Sequence, residues 1–63
     1  MSAGPQLSSV ATSLDELTGR ITEIADELAG SERADVASTL YEVERALQTA
    51  TRRLERIVDD LRR

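Results

Sequence analysis

With 63 residues, a formal charge of −4 and neither Cys nor His, the chain is one domain at most, and no disulfide or ordinary zinc site can support its small core. The acidic balance and the single aromatic residue, Tyr41, argue against nucleic acid, because its binders bring a positive field and stacking platforms. No run approaches the roughly 18 to 20 apolar residues that span a bilayer, and residues 1–5 lack the basic and apolar parts of a signal peptide, so a cytoplasmic setting without membrane contact is expected. All eight basic residues are Arg, a usage expected of a GC-rich bacterial genome.

In chain order, residues 1–6 read as a flexible arm, because Gly4 and Pro5 punctuate before any apolar pattern begins. A first helix is expected over about 7–29. Pro5 suits an early start and Ser13 with Glu16 forms a capping box that suits a later one. The early start is preferred, because Leu7 and Val10 are already in phase with Leu14, Leu17 and Ile21. Gly19 falls on the outward side of this helix, at a cost of about 1 kcal/mol relative to Ala. Gly30 is expected in the left-handed conformation that ends helices. Ser31 is then expected to cap a second helix over about 32–62, with Glu32 and Asp35 in its first turn. So tight a connection folds the helices back antiparallel.

Two aliphatic stripes carry the fold prediction. Leu7, Val10, Leu14, Leu17, Ile21, Ile24 and Leu28 keep heptad spacing in the first helix; Val36, Leu40, Val43, Leu47, Ala50, Leu54 and Ile57 keep it in the second, continuing to Leu61. Set antiparallel, they match in layers from Leu28 with Val36 to Leu7 with Ile57, all apolar. The expected fold is all-α: an antiparallel two-helix coiled-coil hairpin whose seam is these fourteen residues. Two helices alone bury such a seam only in part, so the hairpin is expected to pair into a four-helix bundle, by homodimerisation or by docking on a larger helical protein.

The sides of this seam differ. One side gathers small or weakly charged positions, Ala11, Thr18, Ala25, Ala37 and Thr51, with Val58 beyond them. A wide apolar face of this kind marks a helix buried in a bundle. Together with Tyr41, a residue type favoured at binding hot spots, and Leu61, which finds no partner in the first helix, they form the candidate partner or dimer interface.

Candidate chemistry is sparse. No Cys, His or Lys is available as nucleophile or base, and the carboxylate pairs at Asp15 and Glu16, Asp26 and Glu27, and Asp59 and Asp60 point about 100° apart on a helix and cannot converge on one atom. No catalytic residue, metal ligand or cofactor site is expected. Arg45, Arg52, Arg56 and Arg63 share one outward face, either as a solvated surface balanced by Glu55, Asp59 and Asp60, or as a contact stripe for an anionic partner. Glu27 and Ser31 coincide with the first two positions of a motif on bacterial anti-sigma hairpins that bind cyclic di-GMP, which the chain resembles in outline. Ala34, Ser38 and Glu42 hold the other positions, so no ligand residue carries over. The sequence thus points to a non-catalytic protein–protein interaction module of scaffold, adaptor or regulatory type. The alternative is a regulator that binds a phosphate-bearing ligand or nucleic acid through the arginine face.

Overall fold

The computed structural model describes residues 2–63, and Met1 of the expected arm lies outside them. Two helices, α1 (Ala3–Ala29) and α2 (Ala34–Leu61), fold back on each other as an all-α hairpin with Cα extents of 49 × 14 × 9 Å. No helix among the described residues is long and apolar enough to cross a membrane.

Helix α1 starts earlier than periodicity alone places it, so residues 3–6 are helix rather than arm. The chemistry permits this. Pro5 falls in the first turn, where its missing N–H is one that no helical carbonyl would have received. Gln6 N–H donates to Ser2 C=O at 3.0 Å, closing that turn without side-chain capping. The extension also gives Leu61 a neighbour: a Cβ on Gly4 would stand 3.9 Å from that of Leu61.

The connection is longer than the expected two residues, and α2 begins at Ala34 rather than Glu32. Gly30 has φ −88°, and no described residue takes a positive φ, so the left-handed cap does not form. Ser31 shapes the turn instead. Its hydroxyl donates to Leu28 C=O at 2.7 Å and accepts from Arg33 N–H at 3.0 Å. The backbone N–H of Ser31 also reaches Leu28 C=O, at 3.0 Å. Such local hydroxyl bonds compete with helix propagation, which explains why helix resumes only after Arg33. The Arg33 guanidinium grips Asp35 through Nε–Oδ1 at 3.2 Å and Nη2–Oδ2 at 3.3 Å, and it holds the Asp35 carboxyl below its ordinary 3.8.

The helices are rotated relative to the expected seam. The positions that close the interhelical contact are Ala11, Thr18 and Ala25 of α1 and Ala37, Thr51 and Val58 of α2, all buried. Half-buried Leu7, Leu14, Ile21 and Leu28 alternate with the first set, and Leu40, Leu47 and Leu54 with the second. Spacing of three and four is kept, but the second column of each seam has moved on by one residue, from Val10, Leu17, Ile24 to Ala11, Thr18, Ala25, and from Val43, Ala50, Ile57 to Glu44, Thr51, Val58. One residue is about 100° of helix, so shifting one of two seam columns turns each helix by about 50°. Small side chains in the contact let the backbones approach closely. Thr18 and Thr51 are buried at no polar cost, because their hydroxyls donate to Leu14 C=O at 2.6 Å and Leu47 C=O at 2.9 Å within their own helices.

Candidate protein interface

Rotation in an antiparallel pair turns both helices toward the same side, and the hairpin acquires two unlike faces. On one, polar side chains bond across the helices. Thr22 hydroxyl donates to the Glu44 carboxylate, and Tyr41 hydroxyl donates to Asp26 Oδ1 at 2.5 Å. Further along this face, Ser8, Thr12, Asp15, Glu55, Asp59 and Arg62 surround Ala11 and Val58. No buried side-chain polar atom among the described residues lacks a hydrogen-bond partner. The Asp26 carboxylate accepts the phenol and repels a phenolate, which raises Tyr41 above its ordinary 10.0.

The opposite face is apolar and open. Val10, Leu17, Ile24, Val43 and Ile57 keep between 39 and 50% of their surface exposed, although sequence spacing places them in the seam. Ala50 lies exposed in the same column. Leu14, Leu17, Ile21, Ile24 and Leu47 line a shallow groove on this face, with the Arg20 side chain as its one polar border. Val36, at the turn end, is half-buried. No large side chain is fully buried anywhere in the described hairpin, so its interior is made of small residues and Val58 while the larger aliphatic side chains stay partly exposed.

The structure therefore redistributes the residues named from sequence. Of the expected seam, Leu7, Leu14, Ile21, Leu28, Val36, Leu40, Leu47 and Leu54 are partly covered between or beside the helices, whereas Val10, Leu17, Ile24, Val43, Ala50 and Ile57 are uncovered. Of the expected outer interface, Ala11, Thr18, Ala25, Ala37, Thr51 and Val58 are buried within the hairpin instead of lying on its outer side. Tyr41 is half-buried and tied to Asp26 on the polar face, and Leu61 is 47% exposed at the open end beside Gly4. The heptad register sets Glu44 opposite Thr18, whereas the hydroxyl that meets its carboxylate is that of Thr22, one turn further along α1; periodicity gives the level of such a pair and not which threonine makes the bond. Arg45, Arg52, Arg56 and Arg63 are all exposed, and the one side-chain ion pair among the described residues is Arg33 with Asp35.

No protein family, curated protein or solved structure matches this chain.

Proposed function

We propose that the protein is a non-catalytic interaction module whose contact surface is the open apolar face, and that it works by associating through helices laid on that face. The observation that carries this reading is the exposure of five large aliphatic side chains at heptad spacing on one side of a hairpin whose other side is closed by polar contacts. Contiguous apolar surface bordered by polar residues marks association sites. A hairpin of this size gains the missing part of its core by covering that surface with further helices, as bundles do. A scaffold, adaptor or regulatory subunit fits such a surface.

The test is sedimentation of the wild type beside Leu17→Glu with Ile24→Glu. The wild type is expected to sediment as an assembly and the double variant as a helical monomer, because two carboxylates placed in the face must be desolvated by any partner. An assembly whose mass the double variant leaves unchanged overturns the assignment of this face.

A further inference from the structure

The polar groove by Asp15 and Asp59, the arginine face of α2 and the open apolar face are the three surfaces with chemistry to spare, and the last goes further than association in general. Resting on the self-association reading above, we propose that the open face is covered by a second copy of this chain, related by a two-fold axis across the hairpin's long direction, with the two turns at opposite ends of a four-helix bundle.

The face is self-complementary in register. Its α1 column is Val10, Leu17, Ile24, centred on Leu17, and its α2 column is Val43, Ala50, Ile57, centred on Ala50. A two-fold axis through the level of Leu17 and Ala50 lays Leu17 on the partner's Leu17 and Ala50 on the partner's Ala50. The same axis sets Val10 against the partner's Ile24 and Val43 against the partner's Ile57. Each contact is apolar and antiparallel, as an isologous interface requires. The rims add no clash between like charges: Glu27 lies over the partner's Gln6, Arg20 over the partner's Ser13, Asp60 over the partner's Thr39, and Arg53 over the partner's Ala46.

The competing arrangement has its axis along the hairpin, with the turns side by side. It lays Leu17 on the partner's Ala50 and builds a central layer of the same four side chains, two Leu17 and two Ala50, so packing volume does not choose between the two. Charge does. Residues 17–47, which form the turn half of the hairpin, carry seven acidic side chains against three arginines, whereas the remainder carries five of each. The whole net charge of −4 therefore sits in the turn half. Turns side by side bring two such halves together; turns opposed lay each on a neutral half. The screening length rises from about 10 Å at 0.1 M salt to about 30 Å at 0.01 M, so the preference is greatest at low ionic strength.

Single-cysteine variants test this, since the chain has no cysteine of its own. Leu17→Cys and Ala50→Cys are oxidised separately and as a mixture at low ionic strength, with helicity and sedimentation recorded for each. The expected result is a covalent dimer from each variant alone, together with Val10→Cys cross-linking to Ile24→Cys when those two are mixed. Cross-linking of Leu17→Cys to Ala50→Cys with loss of both self-linked products overturns the opposed-turn arrangement and leaves the interaction surface standing. A wild-type chain that sediments as a folded monomer overturns the arrangement and the interaction reading together.

Discussion

Ala25→Leu tests the rotation of the helices. Ala25 is 0% exposed and Ala37, on the other helix, 2% exposed, so the added branched side chain has no open space and must push the helices apart or leave its rotamer wells. Overpacking of this kind costs about 1–3 kcal/mol, which lowers the melting midpoint of so small a domain by about 4–24 °C. Helix propensity does not offset this, because Leu is close to Ala on that scale. Ala29→Leu makes the same change at an exposed position and is expected to stay within about 0.5 kcal/mol of the wild type. Thermal melts followed by far-ultraviolet circular dichroism, run at matched concentration, compare the two. A seam along the aliphatic stripes would leave Ala25 beside the contact between the two helices rather than inside it, where a leucine would not push them apart. Equal midpoints for Ala25→Leu and Ala29→Leu would therefore refute the rotated packing.

Further consequences concern single contacts. Thr22→Val removes the hydroxyl that meets Glu44 across the hairpin and is expected to cost about 0.5–1.5 kcal/mol in chemical denaturation; additivity with Glu44→Gln in a double-mutant cycle would show that the two do not interact. Tyr41, as the one tyrosine, is expected to ionise above 10.0 by its phenolate absorbance and to move down in Asp26→Asn. Because the folded value is the higher one, this contact stabilises below the unfolded pKa and its contribution is lost as the pH rises through the folded one. Asp35 shows the opposite sign: held below 3.8 by Arg33, it contributes above that value and loses the contribution as the pH falls through its folded pKa. Arg33→Gln should return the Asp35 titration seen by NMR to the ordinary range. Gly19, whose added Cβ would meet nothing within 4 Å, lies inside α1, so Gly19→Ala is expected to raise stability by about 0.5–1 kcal/mol in the same melts.

The hairpin was legible because helical periodicity runs without fault on both sides of Gly30 and Ser31, and only a reversal there keeps both apolar stripes useful. Which side of each helix faces the other was not legible, for a physical reason. Leu7, Leu14, Ile21 and Leu28 belong to two possible seams, one completed by Val10, Leu17 and Ile24, the other by Ala11, Thr18 and Ala25. Hydrophobicity alone selects the first. The structure adopts the second, where small residues allow close approach, threonines satisfy their own hydroxyls, and the Tyr41–Asp26 and Thr22–Glu44 bonds form beside the contact. The repeat of small residues every seven positions was the available signal, and it marks an interior line as readily as an outer flank. The connection runs longer than expected because the Ser31 hydroxyl makes both its bonds inside it, to Leu28 C=O and Arg33 N–H, and α2 then starts at Ala34 with no side-chain cap.

In the proposed assembly the aliphatic stripes serve association while the small residues hold the hairpin together. Sedimentation equilibrium of the wild-type chain over a wide concentration range, with helicity measured in the same samples, decides whether they do. Expected is a concentration-dependent mass that reaches twice that of the chain and survives high salt, as a contact made by apolar side chains should. A helical species that keeps the single-chain mass at every concentration would contradict it.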